Sequence, residues 1–360
     1  MKKTVCISIL LILFLVDVSS SQTVPKITPE EFTRLSTSMS EQGGRFSSDN
    51  WVSNELSYLK VLSTIDSLQI KGGVYIGVGA DQNFTYLFAA QPDLAFIVDI
   101  RRQNRIQQLI YKIFFEIAET PMEFLSFLFS VPLDKNTAPG KNASIEEIIN
   151  YIRNTQKSRQ MLDNTEKELI RILREKYNYP LTETDSYSIG RILASFYNYG
   201  LNITYIGNNL SWYPTYLRLL IMEENGEKLN PFNSQEKYNY LRQLHLDNKV
   251  IPVTGDFAGT KALNMIGEYL MEHGLTVTAF YVSNVEQYLF NVYTIWDNWL
   301  KNVKALPITD RSVFIRWTHE QRLGTAHRTR LQWIKVFIKN YDKGLYYSYK
   351  DVKDIGYINN

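Results

Sequence analysis

Only one cysteine, Cys6, occurs in the 360 residues. It stands at the start of an apolar run and not beside a cleavage point, which excludes lipid attachment through it. Without Cys6 the chain has no thiol for a disulfide, a thiolate nucleophile or a metal site. Its four histidines, His245, His273, His319 and His327, show no metal-ligand spacing, so no metal is expected. Charge of one sign is lacking too: 39 Lys and Arg against 37 Asp and Glu leave +2. A nucleic-acid partner, which demands a concentrated basic face, is therefore not expected. His319 and His327 fall in a basic stretch with Arg316, Arg322, Arg328 and Arg330, read as a solvated loop. There is no repeat of fixed period. No apolar run reaches the ~20 residues that span a bilayer, so no stable membrane insertion is expected.

What is present is core-forming material. With 44% hydrophobic and 13% aromatic residues the chain can bury a substantial interior, which excludes general disorder. The first residues differ from the rest. Met1-Lys2-Lys3 is basic, Val5 to Val18 is apolar apart from Ser8 and Asp17, and Ser19 to Ser21 are small. This is the pattern of a signal peptide over 1–21 cleaved before Gln22, and it predicts an exported protein, periplasmic or secreted. An uncleaved anchor is the alternative. Residues 22–50 read as an N-terminal arm with a helix over Pro29 to Ser40, and 51–360 as one α/β domain.

Within that domain short apolar runs alternate with helical periodicity. Strands are expected at Val74–Val78, Leu94–Val98, Asn202–Ile206, Val250–Val253, Thr276–Val282 and Ser312–Trp317. Helices are expected at Trp51–Ser67, Gln82–Ala90, Asn104–Glu119, Tyr213–Met222, Ser234–Asp247, Thr260–His273, Val285–Val303 and His327–Asn340. A charge-rich helical insertion occupies about 121–199. The fold class is α/β, Rossmann-like, with a mainly parallel sheet covered by helices on both faces.

Ligands in such folds sit beyond the carboxyl ends of the strands. Gly77-Val78-Gly79 forms a glycine turn there, and Asp99 follows Gly79 by 20 residues, the separation expected between a nucleotide-binding turn and a ribose-holding acid. Glycine lets backbone approach a ligand closely. Candidate binding residues are Gly77, Gly79, Asn83, Asp99, Arg101 and Arg102, the arginines offering a planar fork to a carboxylate or phosphate. The structural alternative makes Asp99 a helix cap and the arginines solvated. Asp81 sits where a pyrophosphate would approach and would repel it, which disfavours NAD and FAD. Asp256, Asn284 and Glu286 fall at later strand ends and are candidates for acid–base work; Asn284 could instead cap a helix.

The turn and Asp99 resemble motif I of class I S-adenosylmethionine (SAM)-dependent methyltransferases, with Tyr75 where that motif carries an acid and Asp81 where it has a third glycine. A longer resemblance runs through Val52-Ser53-Asn54-Glu55, Gly73 to Gly79 with Gln82 to Tyr86, Phe96 to Asn104, Gly255 to Gly259 and Ser283 to Leu289. These runs are similar to an uncharacterised bacterial family, a domain of unknown function with a methyltransferase-like fold. The resemblance implies that fold and a ligand cleft, with no established reaction. Two functions follow. One is an exported, non-catalytic small-molecule-binding protein. The other is a SAM-dependent methyltransferase, with Gly77, Gly79 and Asp99 on SAM and Asp256, Asn284 or Glu286 facing the acceptor. Because SAM is kept in the cytoplasm, the leader favours the first.

Overall fold

A computed structural model describes residues 24–44, 46–206, 213–318 and 328–358. The leader, His319 and His327 lie outside the described residues. After α1 (Pro29–Ser38) and a short 3-10 turn running into α2 (Leu62–Ser67) come β1 (Val74–Gly77), α3 (Gln82–Ala90), β2 (Leu94–Asp99) and α4 (Arg102–Ile117). A helical excursion follows: α5 (Pro121–Phe129), α6 (Ile145–Asn154), α7 (Arg159–Glu175), α8 (Glu183–Tyr199) and α9 (Tyr216–Leu220). A two-residue ladder, β3 (Glu223–Glu224) and β4 (Glu227–Lys228), and α10 (Gln235–Leu246) lead back to β5 (Val250–Thr254). The chain then runs through α11 (Ala262–Glu272), β6 (Val277–Ser283), α12 (Val285–Leu289), α13 (Tyr293–Ala305) and β7 (Ile308–Thr318). It ends with β8 (Arg328–Trp333), α14 (Ile334–Asp342) and α15 (Tyr349–Asp354).

The main sheet has the order β5-β2-β1-β6-β7-β8. All neighbours are parallel except β8, which pairs antiparallel with β7 at one edge. From β1 the chain steps outward to β2 and β5, then returns to the other side of β1 with β6. That reversal opens a crevice beyond the carboxyl ends of β1 and β6. Strand alternation sends side chains to helices on both faces. Tyr75 bonds Asn83 of α3, and Tyr281 packs on Tyr86 of the same helix. On the opposite face Phe96 meets Tyr269 of α11, Phe280 meets Trp299 of α13, and Phe314 meets Phe337 of α14.

Local sequence explains most boundaries. Thr28, Thr120, Ser144 and Thr182 each cap a helix by accepting an N–H one turn on, and the last two close full capping boxes. Four expectations are corrected. Residues 51–57 are irregular, with bends at Val52 and Leu56, and helix begins only near Tyr58. There Trp51 N–H donates to the Tyr205 carbonyl, Gln107 donates to the Trp51 carbonyl, and Ser53 N–H donates to Asp81. These distant partners replace the local bonds a helix would need. Asn202–Ile206 is no strand, since its first residue ends a 3-10 turn. The expected late helix over His327–Asn340 begins with strand β8, whose alternating side chains suit an edge ladder. The expected helix over Val285–Val303 is two, α12 and α13.

One buried ion pair ties the β7 edge to α12. Arg316 donates through two nitrogens to the Glu286 carboxylate, one bond at 2.9 Å, and through a third to Gln332. Its guanidinium lies 4.2 Å from the Phe314 ring centre and 4.6 Å from that of Phe337. Removing one partner strands a charge in the core. Arg316→Met is expected to destabilise by roughly 3–5 kcal/mol, and adding Glu286→Gln should recover part of it. Urea midpoints of the two variants check this.

Candidate functional site

The β1–α3 turn is shaped by Asn83. It accepts from the Tyr75 hydroxyl at 2.8 Å and donates to the carbonyls of Val78 and Ala80 at 3.0 and 2.7 Å. A Cβ on Gly77 would stand 2.2 Å from the Asn83 Oδ1, so glycine there makes room for that bond. Gly79 takes φ +82°, which glycine alone adopts freely, and its carbonyl accepts from Asn104 and Gln108 of α4. Gly77 and Asn83 thus build the turn from behind, and neither lines the crevice.

At the end of β2, Asp99 accepts the Arg101 N–H at 2.8 Å and its guanidinium at 2.9 Å. Both side chains are buried. The same guanidinium donates to the Asp49 carbonyl of the N-terminal arm. Arg102 points elsewhere, forming a two-bond pair at 2.6 Å with Asp185 at the start of α8. At the end of β5, Asp256 accepts the Ala258 N–H and donates its own N–H to Glu41. At the end of β6, Ser283 takes φ +50°, unusual for a non-glycine residue, and donates to Glu55 at 2.6 Å.

These strand ends enclose a cavity of about 290 Å³. Gly79, Asp99, Arg101, Asp256 and Asn284 all line it. Gly77, Asn83, Arg102 and Glu286 do not. Glu286, expected as an acid–base candidate near the cleft, is instead turned into the core against Arg316 and Trp299. Asp81 is corrected likewise: its carboxyl is buried and accepts Ser53 N–H at 3.0 Å, off the cavity lining. Asp81 therefore sits behind the lining, one hydrogen bond away from Ser53, and does not itself form the cavity surface. The expected set of three acid–base groups is not assembled at one point.

Sequence reasoning assigned no role to the near wall. Phe46, Asn50, Val52 and Ser53, from the arm and the irregular segment after it, line the cavity together with Tyr288 and Leu289. Nor did it assign one to Glu55, which is fully buried. Its Oε1 accepts from Tyr281 and Ser283, each at 2.6 Å, and its Oε2 has no partner. Gln82, which lines the cavity, donates to the Tyr281 oxygen and leaves its own Oε1 unpartnered. The run Val52-Ser53-Asn54-Glu55 was the one available signal. Among the described residues no group of three or more His, Cys, Asp or Glu side chains could hold a metal. His245 is a core residue stacked 4.5 Å from Phe115, and burial, aided by Lys112, drives its pKa well down.

Burial pushes the Glu55 carboxyl up to about 7, against its bonds from Ser283 and Tyr281. It pushes Asp81 up to about 6, against the Ser53 N–H. The folded state therefore holds protons that the unfolded state has released. Stability from Glu55 is fully present below its unfolded value near 4.5 and is lost as pH rises through about 7. Glu55→Gln keeps the acceptor and removes the titration. Relative to wild type, it is expected to gain stability between pH 5 and pH 8, by on the order of 1–3 kcal/mol. Denaturation at both pH values measures the difference.

The architecture is an α/β protein with a mostly parallel six-stranded sheet and a cavity at its reversal point. The chain belongs to a family described as a domain of unknown function (DUF7790), whose pattern matches residues 50–354. No curated protein matches it. Among the described residues no helix is long and apolar enough to cross a membrane.

Proposed function

We propose that this is an exported small-molecule-binding protein of Rossmann-like, methyltransferase-type topology, using the crevice as a ligand site without catalysing a reaction there. The observation that carries this reading is the cavity itself: about 290 Å³, with apolar walls and a few convergent polar groups, at the sheet's reversal point. Non-catalytic use is favoured by the state of the carboxylates. Asp256 spends one oxygen on a backbone N–H, and Glu286 is held by Arg316 in the core. Export rests on the leader pattern of residues 1–21.

The second reading, SAM-dependent methyl transfer, is favoured by one observation. Asp99 closes β2 inside the cavity, beside the Gly79 turn, where a ribose diol would be held. Its carboxylate already serves Arg101 through both oxygens, so a diol would have to share it.

Mass spectrometry of protein purified under mild conditions is expected to find a retained organic ligand, lost or exchanged in Asp99→Asn. An identical ligand complement in wild type and variant would remove the cavity as the binding site. Calorimetry with SAM and S-adenosylhomocysteine decides the second reading, which predicts micromolar heats. Export is tested by N-terminal sequencing of protein recovered outside the cytoplasm, with Gln22 expected first.

A further inference from the structure

Two amide oxygens beside the cavity have no donor. Gln82 is 6% exposed, and its amide orientation is set by its neighbours. The single Tyr281 proton goes to Glu55 at 2.6 Å, so the Tyr281 oxygen accepts the Gln82 amide N–H. That leaves Gln82 Oε1, an acceptor, buried without a partner behind the lining. Asn50, held at φ +52°, also lines the cavity and also has an unpartnered carbonyl oxygen. Each puts the negative end of an amide dipole next to the lining with no donor to offset it.

Charge points the same way. The charged side chains on the described lining are Asp99, Arg101 and Asp256. Asp99 and Arg101 neutralise each other. Asp256 has no cationic partner among the described residues, and Glu41 adds a carboxylate beside its N–H. Lys261, on the same loop, directs its ammonium to the Ser40 carbonyl. The lining is therefore net negative, with no free cation among the described residues. Phe46 and Tyr288 meet edge to face with ring centres 5.6 Å apart, and Tyr205 and Phe257 complete an aromatic wall.

From these features we infer that the cavity selects a small organic ammonium ion with an apolar body, its charge offset by Asp256 and its body against the aromatic wall. Aromatic faces stabilise a cation that water has left, and hydrogen bonds to a charged donor are about twice as strong as neutral ones. Phosphorylated and carboxylate ligands are disfavoured by the same field. This inference rests on the binding reading above and names its ligand class.

The test uses the full-length protein as expressed and three probes of matched size: 2-phenylethylammonium, 2-phenylethanol and phenylacetate. Titration calorimetry or ligand-observed NMR is expected to rank the ammonium about tenfold tighter than the alcohol, with phenylacetate weakest. Asp256→Asn, which keeps the acceptor for Ala258, should bring ammonium and alcohol to similar affinity. Asn50→Asp, which also tolerates positive φ, should strengthen the ammonium several-fold and leave the alcohol unchanged. Equal or tighter binding of alcohol or phenylacetate overturns the inference, as does an unchanged ammonium affinity in Asp256→Asn. Absence of binding by all three also overturns it. A non-cationic ligand found by mass spectrometry, and lost in Asp99→Asn, would overturn the inference while leaving the binding reading in place.

Discussion

Residues 40–44 and 46–55 are laid across the carboxyl ends of β1, β2 and β5, and the cavity exists because they are held there. The stitching is by hydrogen bond at each strand in turn. Thr254 donates to Ser40 Oγ, Glu41 N–H donates to the Thr254 carbonyl, and Gly44 N–H donates to the Ile100 carbonyl. Arg101 reaches the Asp49 carbonyl, and Ser53 N–H reaches Asp81 behind the glycine turn. Two glycines make the approach feasible. A Cβ on Gly44 would stand 2.6 Å from the Ile100 side chain, and one on Gly43 would stand 3.2 Å from the Ile100 carbonyl. Without this strap, the crevice at the sheet's reversal point would be an open notch.

The strap also explains why the strongest polar groups near the crevice are committed inward. Asp99, Arg101 and Asp81 each serve a backbone group of the strap or of their own turn. A buried charge needs such partners, since unpaired burial is far more costly than any single contact repays. What remains at the cavity is a mostly apolar lining with one carboxylate, Asp256, that has no cationic partner among the described residues. Rigid walls with few open polar atoms favour recognition of one ligand class over chemistry at several reacting centres.

Much of the frame was legible in the residues. Strands β1, β2, β5 and β6 are short apolar runs bounded by turn residues, and α3 spans the expected Gln82–Ala90. The turn and Asp99 lie at one end of the sheet because strand ends in a parallel sheet share a level. Of the nine candidate site residues, Gly79, Asp99, Arg101, Asp256 and Asn284 reach the cavity. Gly77, Asn83, Arg102 and Glu286 occupy the same level and face away. Level follows from spacing; facing follows from one residue's rotation about a strand or helix, which reverses or turns each side chain. Residues 51–57 were illegible for another reason: the helical spacing of Tyr58, Leu59, Leu62 and Ile65 begins only after them, and distant partners hold them out of the helix.

Chain order alone therefore determined the alternation of strands and helices, the glycine turn, and the acid that closes the second strand. These depend on local periodicity and backbone permissiveness, which neighbouring residues carry with them. Tertiary structure alone decided that the arm becomes a wall, that Arg316 claims Glu286, that Arg102 claims Asp185, and that Glu55 is buried against Tyr281 and Ser283. Those outcomes depend on which buried charge finds a partner across tens or hundreds of residues. The partner is chosen by packing, and no spacing along the chain records it.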